Sequence, residues 1–154
     1  MVIENKNPKL IKQIGPSDCA ICCLSMLTGI EHAEVISRVG DTWEDGMGMA
    51  NTGLALLRLG FENREIPLDK GAYRIEDVDF KILRKPWGIS DEMFKSMIWG
   101  RKALLTVPSL NIDGGYHMVY WYYDELFDPS PKKTYKSYEE LNIREMVLFL
   151  EKSK

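Results

Sequence analysis

Three cysteines fall within five residues, at Cys19, Cys22 and Cys23, and the chain carries two histidines, His32 and His117. An odd, tightly clustered set cannot build a disulfide framework. It points to a reducing compartment and leaves free thiols, metal ligands or a reactive site. Ser17 reads as a helix N-cap with Asp18 in the first turn, so Cys19 opens a helix running through Leu27. The amide dipoles at that end stabilise a thiolate. Cys22 and Cys23 share the face of Cys19 but lie one turn deeper, and read as core thiols. A metal held by Cys19, Cys22, Cys23 and a histidine departs from the paired spacing of zinc sites, and no metal or cofactor is expected.

A thiolate nucleophile needs a base and an oxyanion donor. His117 opens the strand-like run Tyr116–Tyr122 directly after Gly114-Gly115, and a strand holds an imidazole rigidly. His32 stands near the start of a surface helix, poorly placed to act as that base. Asp128 closes Glu125-Leu126-Phe127, just before Pro129. A turn at Tyr122–Tyr123 would set Asp128 across from His117, where it would fix the imidazole tautomer, although that turn lacks Gly or Asn. Upstream, the side-chain amide of Gln13 and the backbone N–H of Cys19 are the candidate oxyanion hole.

The elements that must position these groups follow from the hydrophobic pattern. The polar residues 1–12 read as an extended arm. The run Cys19–Leu27 is apolar on all sides, the pattern of a buried helix, and Gly29 stops it. A second helix is expected over Glu31–Val39, ended by Gly40. The loop Asp41–Gly48 follows, exposing Trp43, which with Glu44 and Asp45 is a weaker candidate for a groove lining. A third helix, Met49–Leu59, carries Leu54, Leu57 and one of Met49 or Leu56 on its core face. Phe61–Ile66 reads as a short strand, and Ser90 as the cap of a short helix ending at Gly100. Residues 69–87 have no assignable pattern. Ala103–Val107, Tyr116–Tyr123, Leu126–Phe127 and Met146–Leu150 read as strands. N-terminal helices followed by C-terminal antiparallel strands give an α+β class, expected as a single domain over residues 1–154.

The balance of residues narrows the function classes. Of the 154 residues 45% are hydrophobic, 10% aromatic and 28% charged, which excludes a disordered or fibrous chain. A net charge of -3 argues against nucleic acid as partner, and Lys132, Lys133 and Lys136 read as a solvated face. No apolar run reaches the ~18 residues of a membrane span, and the first residues lack a signal-peptide core. A cytoplasmic protein without membrane partner is therefore expected, with oligomeric state left open.

Three segments carry a resemblance. QIGPSDCAICCLSMLTG (13–29), GMGMANTGLALLRLGF (46–61) and GGYHMVYWYYDELFDPS (114–130) resemble, in order, papain-like cysteine peptidases, in particular the C39 and C39-like group. The resemblance implies a papain-like fold and a peptide substrate. It also implies Cys19 as nucleophile, His117 as general base, Asp128 as the orienting residue and Gln13 as oxyanion donor. Ala20 stands where that group more often has Gly, and the short gap after His117 leaves Asp124 as an alternative third member. Two other functions stay open: a non-catalytic binding module, such as a phage-encoded adaptor or inhibitor of a host protein, and an acyltransferase using the same triad.

Overall fold

The computed structural model describes residues 7–40, 47–67, 95–96 and 98–149. Trp43, Glu44, Asp45 and Ser90 lie outside them, as do residues 69–87. Helix α1 (Cys19–Thr28) is buried from Ala20 onward, as its uniformly small and apolar sequence requires. Its interior hydroxyls are satisfied locally: Ser25 Oγ donates to the Ile30 carbonyl at 2.6 Å, and Thr28 Oγ1 to that of Leu24 at 2.7 Å. Gly29, at φ 77°, ends the helix by donating its N–H to the Ser25 carbonyl, a left-handed cap that favours glycine. At the other end the N-cap is Asp18 rather than Ser17, and Asp18 makes no side-chain cap bond to the helix.

Helix α2 (His32–Val39) buries Val35 and Val39. Helix α3 (Met49–Arg58) turns a different face inward from the one its leucines suggested. Thr52, Ala55, Leu56 and the following Leu59 are buried, whereas Leu54 and Leu57 are 54% and 55% exposed. Leucines recur at nearly every second position of this stretch, so spacing alone does not select a side. Strand β1 (Asn63–Pro67) lies beside α3 at Gly53, where Asn63 Nδ2 donates to the Gly53 carbonyl at 3.0 Å and the ends of the Asn63 and Glu65 side chains fill the space a Cβ would take. The inner face is the one that bears Thr52, Ala55, Leu56 and Leu59.

The remaining strands are β2 (Arg101–Pro108), β3 (Tyr116–Tyr123), β4 (Glu125–Phe127) and β5 (Glu145–Phe149). They join β1 in an antiparallel sheet of order β1-β5-β2-β3-β4. The two-residue alternation of a strand sorts its side chains into two cores. Leu104, Met118, Tyr120, Val147 and Phe149 pack with the helices. Ala103, Leu105, Val107, Val119, Trp121, Met146 and Leu148 form the second core with Ile98, Tyr135 and Ile143. The class is α+β, with helices laid on one face of an antiparallel sheet. No single helix among the described residues is long and apolar enough to cross a membrane.

The β3–β4 hairpin turns one residue later than expected. Tyr122 pairs with Glu125 and Tyr120 with Phe127, leaving Tyr123-Asp124 as the loop. Tyr123 sits at φ 60°, and the Asp124 N–H donates to the Tyr122 carbonyl at 2.7 Å, a tight turn that glycine normally occupies. The Tyr123 carbonyl is held by the Gly100 N–H at 2.9 Å and by the Trp121 indole at 3.0 Å, bonds that anchor the strained residue.

The orientation of α3 makes a direct prediction. Leu56→Ala should destabilise the protein by about 2–5 kcal/mol, while Leu57→Ala should stay within about 0.5 kcal/mol of the parent in urea denaturation. Equal losses would contradict the assigned inner face.

Candidate active site

His117 is the second residue of β3, and its side chain is 10% exposed. Its Nε2 lies 2.6 Å from Asp128 Oδ1. The later turn places Asp128, by continuation of the ladder past Phe127, across from Val119 rather than His117. His117 and Val119 share one face of the strand, so Asp128 and His117 meet as diagonal cross-strand neighbours. Asp124 lies at the hairpin tip, roughly 20 Å along β3 from His117 at ~3.3 Å per residue, and is not the imidazole's partner.

The carboxylate of Asp128 is fully organised. Oδ1 also accepts the Ser130 N–H at 2.9 Å, and Oδ2 the Tyr135 N–H at 2.8 Å. Burial pushes its pKa up, but the His117 bond and these two amides outweigh that and hold it below the usual carboxylate value. With Nε2 committed to Asp128, the other ring nitrogen, Nδ1, is left for a second partner, and Cys19 is close enough to act electrostatically on the imidazole. Burial lowers the His117 pKa; the bonds and negative charge of Asp128 and Cys19 override it and raise the value to about 9. At neutral pH the ring is therefore a cation beside sulfur.

Cys19 is half-buried at the first position of α1, whereas Cys22 and Cys23 are buried. Cys23 donates to the Met118 carbonyl at 3.4 Å, tying α1 to the strand residue next to His117. Asp18 makes no side-chain cap bond to the first-turn amides beside Cys19. Gln13 reaches the same region through its backbone: its N–H donates to the Pro129 carbonyl at 2.8 Å, immediately after Asp128. Lys12 Nζ adds a second tie to the Ser130 carbonyl at 2.9 Å. The Gln13 side-chain amide donates to the Gly15 carbonyl at 3.1 Å, using one of its two hydrogens.

A second carboxylate–imidazole pair, which spacing did not reveal, stands behind Cys19. Asp18 Oδ2 lies 2.9 Å from His32 Nε2 and accepts the Ile14 N–H at 3.1 Å, while Oδ1 accepts the Gly15 N–H at 3.0 Å. Burial pushes the Asp18 carboxyl up, and these contacts together hold it below its ordinary range. The signal for the backbone bonds was available, since Asp before a helix commonly clasps nearby amides. The pairing with His32 is made by the folding back of α2 on α1 and has no local signature. With the Cys22 sulfur, the Asp18 and His32 atoms lie within 4.8 Å of one another. This grouping replaces the considered cluster of three cysteines and a histidine as the densest set of potential ligands among the described residues. Its carboxylate is already occupied by two amides and an imidazole.

No family model matches the chain, and no curated protein matches it. Among solved structures, the peptidase domain of Streptococcus ComA, described as a bi-functional ABC transporter involved in a quorum sensing pathway, superposes with a TM-score of 0.54. The two are 19% identical, and the match covers 93% of this chain and 98% of that one. The peptidase domain of Streptococcus mutans ComA gives a TM-score of 0.49 at 20% identity, covering 93% and 99% of the two chains. The fold of this chain is thus that of the Streptococcus ComA peptidase domain.

The electrostatics of the pair can be tested directly. Replacing Asp128 by Asn removes the largest influence that raises His117, so the imidazole should titrate well below about 9 when followed by NMR. The pair's stability should be present in full between the ordinary values of 3.8 for Asp128 and 6.5 for His117, and vanish as pH rises through about 9. In Asp128→Asn that loss should disappear from the pH dependence of unfolding; an unchanged profile would contradict the coupling.

Proposed function

We propose that this chain is a cysteine peptidase of the C39-like type that cleaves a peptide or protein substrate. The observation that carries the reading is the 2.6 Å bond from His117 to Asp128, with Cys19 among the groups that act on the same imidazole. The fold likeness to a peptidase domain supports it. In this reading no cofactor takes part, the partner is the substrate rather than nucleic acid or membrane, and the protein works in the cytoplasm as a single domain.

The chemistry follows from the roles. Cys19, as thiolate paired with the His117 cation, attacks the scissile carbonyl carbon. The developing oxyanion is met by the Cys19 backbone N–H and the free hydrogen of the Gln13 amide. His117 passes its proton from Nδ1 to the leaving amine, and the acyl group stays on sulfur as a thioester. Water, deprotonated by the now neutral imidazole, hydrolyses the thioester and restores the thiolate. Asp128 remains ionised throughout, holding the ring in the orientation that keeps Nδ1 toward sulfur. The fixed ties of Gln13 and Lys12 to the loop after Asp128 keep the oxyanion donor and the orienting residue in one frame.

Incubation with a mixed peptide library and product sequencing should reveal cleavage that Cys19→Ala abolishes. His117→Ala should lower the rate by about 10²–10⁴-fold, and Gln13→Ala by about 10²-fold. A thiol-directed electrophile should label the parent at Cys19 and fail to label Cys19→Ala. Retained cleavage in Cys19→Ala would overturn the proposal. Transfer of the acyl group to an added amine in place of water would assign the same residues to an acyltransferase.

A further inference from the structure

The peptidase chemistry makes no use of three polar groups beside the nucleophile, namely the Cys22 thiol, the Asp18 carboxylate and the His32 imidazole. Cys19 and Cys22 form a Cys-x-x-Cys pair whose first member begins a helix. Helical geometry sets their Cα atoms about 5 Å apart. That lies within the ~4.4–6.8 Å span of disulfides. Cys19 is the half-buried member, open to small solutes, and Cys22 is fully enclosed behind it. The Cys22 thiol donates to Asp18 Oδ2 at 3.7 Å, and that oxygen is bonded in turn to His32 Nε2 at 2.9 Å. His32 keeps 20% of its side chain exposed, so the chain of contacts runs from the enclosed sulfur to solvent. Cys23 is differently committed, to the Met118 carbonyl.

We propose that Cys19 and Cys22 form a reversible disulfide that rescues the half-buried Cys19 thiol from irreversible oxidation by peroxide, with Asp18 and His32 removing the proton of Cys22. In the first step the Cys19 thiolate attacks one peroxide oxygen. The S–O bond forms, the O–O bond breaks, the peroxide proton stays on the sulfur-bound oxygen, and the departing hydroxide takes a proton from solvent to leave as water. Sulfur is oxidised to the sulfenic acid and peroxide is reduced. In the second step the Cys22 sulfur attacks the Cys19 sulfur, its proton passing to Asp18 and His32. The S–S bond forms, the S–O bond breaks, and hydroxide collects that proton as a second water. An external dithiol restores both thiols by exchange. Burial, followed by the charge of Asp18, pushes the Cys22 thiol up to about 12, which is why its attack needs an adjacent acceptor for the proton. The inference concerns thiol chemistry and stands whether or not a peptide is cleaved.

The test is a thiol count on the whole protein after limited hydrogen peroxide, then dithiothreitol, with dimedone as the trap for sulfenic acid. The parent and Cys23→Ser should lose both the Cys19 and Cys22 thiols and recover them fully, with fragment spectra placing the bond between these residues. Cys22→Ser and Cys22→Ala should instead lose Cys19 alone, accumulate the dimedone adduct and pass to a sulfinic acid that dithiothreitol does not reverse. Asp18→Asn and His32→Gln, which leave every thiol in place, should lengthen the life of the sulfenic acid. Full recovery of Cys19 in both Cys22 variants, or a bond to Cys23, would overturn the proposal.

Discussion

Burial of helix α1 against strand β3 is the constraint on which the site rests. A helix with nothing but apolar and small residues must be enclosed, and the bond from Cys23 to the Met118 carbonyl sets its height on the strand. Cys19 lies one turn before Cys23 and His117 one residue before Met118. The packing that hides the core therefore sets Cys19 and His117 relative to each other, both being carried by elements of the core.

Two buried carboxylates then do the finer positioning by the same means. Asp128 gathers the amides of Ser130 and Tyr135 and the imidazole of His117; Asp18 gathers those of Ile14 and Gly15 and the imidazole of His32. Each stays ionised in spite of burial because it is surrounded by donors. One orients the His117 ring, and the other shapes the turn through Ile14 and Gly15 that leads into Cys19. The Gln13 N–H on the Pro129 carbonyl links the two turns. Asp18 turns its side chain back to its own loop and makes no side-chain cap bond to α1.

Much of this was legible in residue types and order. A cysteine heading an apolar helix and a histidine heading a strand are local patterns, and so is an aspartate ending the next short strand. What escaped was non-local or unusually built. The hairpin register slipped by one because Tyr123 adopts a left-handed conformation that sequence rules reserve for Gly or Asn, and only bonds from Gly100 and Trp121 make it tenable. Diagonal contact across the ladder still joins His117 to Asp128. The face of α3 was misread because leucines surround the helix, so their spacing does not select between its sides. The Asp18–His32 pair depends on how α2 folds back, which no spacing encodes. The β1–β5 pairing likewise joins segments far apart in the chain.

Whether Cys19, His117 and Asp128 act as one unit is measured most directly by the titration of the His117 imidazole, followed by NMR, in the parent and in Cys19→Ala. The parent ring is expected to titrate near 9, and removal of the sulfur should move its titration down. Superimposable titrations for the two proteins would show that sulfur and imidazole do not sense each other, and would contradict the coupling of the three residues.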